Sequence, residues 1–266
     1  MTVPPAPRRR RRPYRPVEVV DVQPLGDHFV SVIFAGALDG FEDTVPAQHI
    51  KVLIPEPGER SVTMPESGPD GPIWPADRPR PVSRTYTPRR FDSAAGTLEV
   101  QFLLHGDGPA SGWAERAAVG DRLAIAGPGG RAVPLDPGEA RWIIAGDESA
   151  VPAIGTLLDA LPASAVDAVY VEGSKTAVGE IGSDGWPPVN WLPGDETAPG
   201  AALYDVLSDP ATVKDSRVWV ACESFAVRRI RLALFDRDRI DASHLVTRGY
   251  WRSGEANHPD HDYGED

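Results

Sequence analysis

Pro81-Val82-Ser83-Arg84-Thr85-Tyr86-Thr87-Pro88-Arg89-Arg90 decides how this chain is read. Its centre, Arg84-Thr85-Tyr86-Thr87, is a strand carrying an unusual set of groups. Side chains repeat every second residue along a strand, so Arg84 and Tyr86 share a face. A guanidinium pairs bidentately with phosphate oxygens. An aromatic plane follows it, then a hydroxyl that can donate and accept. Cation, ring and hydroxyl within four residues suit a cofactor that is itself ring plus phosphate. The plain alternative is an edge strand facing water, since Arg and Tyr occur in strands.

The sequence downstream favours the cofactor. Leu98 to His105 reads as a second strand. Gly106-Asp107-Gly108-Pro109-Ala110-Ser111-Gly112-Trp113-Ala114 is a Gly/Pro turn opening a short helix. A helix start offers unpaired N–H groups and partial positive charge to a phosphate. Arg-x-Tyr-Thr, a strand, then Gly-x-Gly-Pro-Ala-Ser resembles the flavin domain of the ferredoxin–NADP reductase superfamily. Four motifs in order narrow the resemblance: Arg84 to Thr87, His105 to Ser111, Ala145-Gly146-Asp147-Glu148-Ser149-Ala150-Val151-Pro152-Ala153-Ile154, and Tyr250-Trp251-Arg252-x-Gly254. Together they resemble the siderophore-interacting proteins, flavin-dependent ferric-siderophore reductases. The likeness runs from about Tyr14 to Gly254.

Composition is compatible. The chain has 266 residues, 41% hydrophobic and 25% charged, near the globular average. Glycine and proline, 26 and 28, make about a fifth of it, which favours strands joined by many turns. No apolar run approaches the ~20 residues of a membrane span, and no secretory h-region follows the arginine run. One cysteine excludes an internal disulfide and a multi-cysteine metal site, and a reducing cytoplasm is the expected location. A net charge of −12 argues against nucleic acid as a partner. Arg8 to Arg12 reads as a solvated, disordered tail within residues 1–13, or as a loose contact with an acidic surface. Residues 255–266 read as an acidic tail, with His258 and His261 able to bind stray metal.

The periodicities predict two domains. Tyr14–Val22, His28–Ala35, Gln48–Pro55, the Arg84 strand, the Leu98 strand and Arg122–Gly127 form a six-stranded antiparallel barrel over residues 14–135. Glu56–Pro81 is an ordered surface excursion anchored by Trp74. From 136 to 254 short apolar strands alternate with helical patterns. Strands are expected at Arg141–Ala145, Val166–Val171, Asn190–Leu192 and Arg217–Ala221. Helices are expected at Val151–Leu161, Ala201–Leu207 and Glu223–Asp236. That alternation predicts a doubly wound parallel sheet. The boundary falls near 134–140.

The resemblance implies FAD as cofactor. Arg84 would hold the pyrophosphate, Tyr86 pack on the isoalloxazine and Thr87 bond its edge, with Thr85 between them. Gly108, Pro109, Ala110 and Ser111 would present the helix start to phosphate. His105 either touches the cofactor or is structural. Trp113 reads as core. Trp251 and Tyr250 either cover the flavin or pin the C-terminus. The electron donor would meet the carboxyl ends of the parallel strands. Candidates there are Asp147, Ser149, Ser174, Lys175, Cys222 and Glu223. Dinucleotide-binding relatives carry a glycine-rich turn where this chain has Gly146 followed by two carboxylates. The donor is therefore read as NADPH or NADH, with reduced ferredoxin as the rival. Cys222 is a buried inert thiol or a contact on the hydride path. Lys51, Arg248 and Arg252 are the expected basic contacts to an anionic ferric siderophore. No side-chain metal site and no acid–base catalytic residue are expected. The rival functions are a non-catalytic siderophore or flavin binder and a general flavin reductase.

Overall fold

The computed structural model describes residues 13–42, 44–69, 71–106, 108–130, 132–135, 141–178, 187–235, 240–256, 258 and 261–262. The arginine run, Asp107, most of the expected boundary and most of the acidic tail lie outside them.

The N-terminal strands are β1 (Arg15–Leu25), β2 (Phe29–Gly36) and β3 (His49–Ile54). The excursion follows, with the small hairpin β4 (Glu66–Gly68) and β5 (Gly71–Ile73). Trp74 anchors it by packing on Tyr14, ring centroids 6.0 Å apart. Then come β6 (Val82–Tyr86), β7 (Pro88–Asp92), β8 (Thr97–Leu103), helix α1 (Pro109–Ala114) and β9 (Arg122–Gly129). One antiparallel sheet has the order β6-β3-β9-β1-β2-β8-β7. Its two ends are consecutive stretches of chain joined by Thr87 alone, so the sheet closes on itself. The expected Arg84 strand is thus two strands. Pro88 donates no N–H and biases the residue before it, and there the chain leaves β3 and pairs with β8.

Inward-facing apolar residues fill the barrel, in regular alternation along β8. Val32, Phe34, Ile50, Val52, Leu98, Val100, Phe102 and Ile125 are all fully buried. β6 and β8 diverge where β6 pairs only with β3, and α1 sits against β3 and β8. Its Trp113 enters the core, stacked 6.4 Å from Phe34 and edge-on at 5.3 Å to Phe102.

The second half comprises β10 (Arg141–Asp147), a 3-10 turn (Glu148–Ala150), α2 (Val151–Ala160), β11 (Val166–Glu172), α3 (Lys175–Val178) and β12 (Val189–Leu192). It continues with α4 (Ala201–Leu207), α5 (Pro210–Val213), β13 (Ser216–Glu223), α6 (Ser224–Phe235), β14 (Leu245–Trp251) and β15 (His261–Asp262). The sheet order is β12-β11-β10-β13-β14-β15, the first five strands parallel. α2 covers one face over Trp142, Ile144 and Trp219. α4 and α6 cover the other over Ile143, Val218 and Val220. The sequence pattern does not mark β14 as a strand, because Thr247, Arg248 and Gly249 interrupt its apolar run.

The halves are clamped together. The Ala47 N–H donates to Thr156 Oγ1 at 3.0 Å, and the Asp27 N–H to the Thr176 carbonyl at 2.9 Å. Arg89 crosses α2 to Asp159, N···O 2.5 Å. Gly155 makes room for it, since a Cβ there would lie 2.8 Å from Arg89 Nε.

Candidate functional site

The split between β6 and β8 brings the two N-terminal motifs together. Arg84 and Tyr86 leave β6 on the same side, opposite Val52 and Ile50 in register. The Tyr86 ring lies 4.4 Å from Phe102, which in turn contacts Trp113 of α1. Burial pushes the Tyr86 phenol well above its ordinary value, while Arg84 nearby acts in the opposite direction. Its hydroxyl is therefore a neutral donor at physiological pH. The Arg84 guanidinium donates to the Ser83 carbonyl at 3.0 Å and meets no carboxylate among the described residues. Thr87 is buried at the strand junction.

The α1 start completes this side. Pro109 occupies the first turn and no side chain caps it, so the N–H groups of Ala110 and Ser111 have no intrahelical acceptor. A Cβ on Gly106 or Gly108 would meet nothing within 4 Å. Ser111 is buried, and its hydroxyl accepts from the His105 N–H at 2.9 Å, fixing the loop. His105 itself is exposed. A partly buried cation with no counterion among the described residues, a neutral phenol and main-chain donors beside open space fit the phosphate and ring of a flavin dinucleotide. Thr85 belongs to the other side of the ribbon, where its hydroxyl accepts from Lys51 Nζ at 2.5 Å. A cleft of about 220 Å³ lies elsewhere, between β7 and α2; it is lined by Pro88, Arg89 and Arg90 from the end of the opening stretch and by none of the candidate cofactor, donor or substrate contacts.

The carboxyl ends of the parallel strands make a second cluster. β10, β11 and β13 close on Asp147, Glu172 and Glu223, all buried. Each acid accepts backbone N–H groups from neighbouring loops or helix starts. Asp147 Oδ1 takes the Ser149 N–H at 3.0 Å and the Ser149 hydroxyl at 2.5 Å. Glu172 takes Gly200 and Leu203 N–H at the start of α4, at 2.6 and 3.2 Å. Glu223 takes the Ala226 N–H of α6 at 2.9 Å and the Ser253 N–H at 3.3 Å. Glu148 reaches across to the Ser174 N–H at 2.9 Å. Helix-start N–H groups of this kind bind phosphate when no side chain takes them. Burial pushes the Asp147 carboxyl up to about 6, against hydrogen bonds from Ser149 and Trp251. Cys222 is completely buried among these acids. Burial, then the charges of Asp147, Glu172 and Glu223, raise its thiol well above the ordinary value, so it stays protonated. Gly146 lets β10 turn here, as a Cβ would lie 2.5 Å from Ala150 Cβ and 2.7 Å from the Ala221 carbonyl.

Trp251 joins this cluster. Its indole N–H donates to Asp147 Oδ2 at 2.7 Å, a contact across 104 residues. Ser174 and Lys175 are exposed at the end of β11. Of the expected basic group, Arg248 is buried in β14 and Arg252 is exposed and paired with Glu255 at 3.2 Å. Lys51 projects from the barrel wall beside Thr85.

Sequence reasoning missed Glu172. The available signal was its position, an acid closing an apolar strand as Asp147 and Glu223 do. It also places His258 in the tail. In the structure its Nε2 lies 2.7 Å from Ser224 Oγ and its Nδ1 3.2 Å from Glu255, so residue 258 docks at the start of α6.

Comparison with known proteins accounts for both halves. The model of the siderophore-interacting FAD-binding domain matches residues 18–132, and that of the siderophore-interacting protein matches 139–254. A ferric vibriobactin reductase of Vibrio cholerae is 32% identical over 224 residues, 82% of this chain and 81% of that protein. An NADPH-dependent ferric-chelate reductase of Escherichia coli K12 is 32% identical over 249 residues, 90% of this chain and 93% of that one. A siderophore utilization protein from T. fusca superposes with a TM-score of 0.76 at 27% identity, covering 92% of this chain and 95% of that one. With a barrel that takes FAD, a parallel-sheet domain behind it and relatives matched over most of its length, the chain belongs to the siderophore-interacting protein family.

Proposed function

We propose that this protein is an FAD-dependent ferric-siderophore reductase that passes electrons from NADPH or NADH to Fe(III) held in a siderophore. The observation that carries the reading is the Arg84 guanidinium, with no carboxylate partner among the described residues, on the same face of β6 as Tyr86, whose ring packs through Phe102 toward the uncapped helix α1. FAD held there would supply the redox chemistry, two-electron uptake from the donor and one-electron transfer to ferric iron. The chain's own residues bind and orient. Arg84 and the α1 N–H groups hold the diphosphate, and Tyr86 and Thr87 flank the ring. Lys51, Arg248 and Arg252 supply positive charge for an anionic iron chelate. Hard oxygen ligands favour Fe(III), so reduction loosens the siderophore's grip and frees Fe(II).

The acidic strand ends favour a second reading of the donor, a reduced ferredoxin, which needs no pyrophosphate site. Anaerobic stopped-flow with NADPH, NADH and reduced ferredoxin in parallel separates the two, followed by a ferric siderophore and an Fe(II)-trapping dye. Bleaching by a donor and recolouring with Fe(II) release are expected. A protein that takes up FAD yet never bleaches with any of the three is a binder, and the reductase reading fails.

A further inference from the structure

Trp251 stands in an irregular place. β14 pairs with β13 through Cys222–Gly249 and then Glu223–Trp251, so Tyr250 is an extra residue in the ladder. Such a bulge re-aims the side chain beside it. Tyr250 remains on the face shared with Trp219, ring centroids 6.5 Å apart. The Trp251 indole instead reaches Asp147 on β10. In the sheet order β13 lies between β10 and β14. Two strand spacings are about 10 Å, so the ring crosses the end of β13.

That crossing has a topological meaning. From β10 the chain runs to β11 and β12 on one side, then returns to β13 and β14 on the other. The β10–β13 border is the switch point, where open α/β sheets leave a crevice for ligands. The indole reaches over this border, its N–H tied at the far side and the chain just after it tied to β13. Asp147 Oδ2 holds its N–H while Oδ1 is fixed by Ser149. Just beyond it, the Ser253 N–H is held by Glu223 Oε1 at 3.3 Å.

We propose that Asp147 is a positioning residue, holding the Trp251 indole across the β10–β13 crevice so that a dinucleotide enters only when this bond opens. The inference rests on the reductase reading for its consequence, but the hold itself can be tested without flavin. Trp251→Phe keeps an aromatic ring and leaves the Asp147–Ser149 bonds in place, removing the indole N–H together with part of the ring that spans the crevice. Asp147→Asn keeps the side-chain size and removes the charge.

In the full-length apoprotein labelled with 5-fluorotryptophan, the 19F resonance missing from Trp251→Phe belongs to Trp251. It is expected to shift and broaden in Asp147→Asn while the other six tryptophans stay put. In the FAD-loaded protein both variants should bind NADP+ more tightly and show a lower KM for NADPH, each by about tenfold. A Trp251 resonance indifferent to Asp147→Asn overturns the proposal, as does an unchanged NADP+ affinity in Trp251→Phe. If no dinucleotide reduces any form while the resonance responds as expected, the donor reading fails and the hold of Asp147 on the indole is upheld.

Discussion

Arg84→Ala tests the flavin site most directly, because the structure isolates what the side chain does. The guanidinium donates to its neighbour's carbonyl and faces no carboxylate among the described residues, so truncation strands no buried acid. The fold should survive, with thermal stability nearly unchanged. The loss should fall on the diphosphate. A charge-assisted hydrogen bond contributes about 1.5–3 kcal/mol, and 1.4 kcal/mol is tenfold, so FAD affinity should drop by roughly 10- to 150-fold. The assay is fluorescence titration of apoprotein with FAD and, in parallel, riboflavin. Riboflavin has the ring and no phosphate, so its affinity should be the same in wild type and variant. Added salt should weaken FAD binding to the wild type more than to the variant, since one phosphate contact has gone. Equal losses for FAD and riboflavin would mean that Arg84 shapes the ring pocket instead. Unchanged FAD affinity would remove Arg84 from the site.

The other expectations concern the strand ends and the basic residues. Gly146→Ala forces a Cβ against Ala150 and the Ala221 carbonyl and should cost about 1–3 kcal/mol in urea unfolding; an unaltered midpoint would show that β10 and β13 can separate freely there. The Asp147 carboxyl rises from 3.8 to about 6 on folding, so the native state holds that proton more tightly. Its contribution to stability is complete below pH 3.8 and disappears as pH passes about 6, with about 3 kcal/mol as the upper limit. Asp147→Asn should therefore gain on the wild type between about pH 4 and 7, and a pH-independent difference in unfolding free energy would refute the shift. Lys51→Glu should slow oxidation of the reduced protein by an anionic ferric siderophore and spare FAD content; unaltered siderophore kinetics would exclude Lys51. The acids at the strand ends should repel a dinucleotide, so KM for NADPH should hold steady or fall as salt rises from about 0.01 to ~0.15 M. A KM that climbs steadily would indicate ion pairing with the donor instead.

The fold was legible where periodicity reports burial. Leu98, Val100 and Phe102 point inward in turn along β8, as do Ile50 and Val52 along β3, and both strands show it in the sequence as alternation. The solid run Trp142 to Ala145 marks a strand covered on both faces. What local pattern cannot show is a change of partner. Thr87-Pro88 reads as the end of one strand, whereas the chain runs on as β7 against β8. The same limit applies at the site. Arg84 and Tyr86 were readable as one face, and the Ser111 loop as a helix start, because both are local. Lys51 facing Thr85 depends on the register of β3 with β6. Trp251 meeting Asp147 depends on strand order and a bulge, neither of which is written in neighbouring residues.

The three buried acids have one physical explanation. A helix start in a doubly wound sheet presents N–H groups and partial positive charge at the end of the preceding strand, where dinucleotide enzymes place glycine and admit phosphate. Here Asp147, Glu172 and Glu223 place carboxylates at those positions, and hydrogen bonds of 2.6–3.3 Å tie them to N–H groups. Burying a carboxylate is costly unless its oxygens are hydrogen-bonded, and these are. The same groups make the ligand crevice negative once they ionise. The barrel is arranged in the opposite sense, with a partly buried cation, Arg84, and an uncapped helix start beside the open space at Gly106 and Gly108. An anionic flavin dinucleotide is thus drawn to the N-terminal half and discouraged from the C-terminal crest.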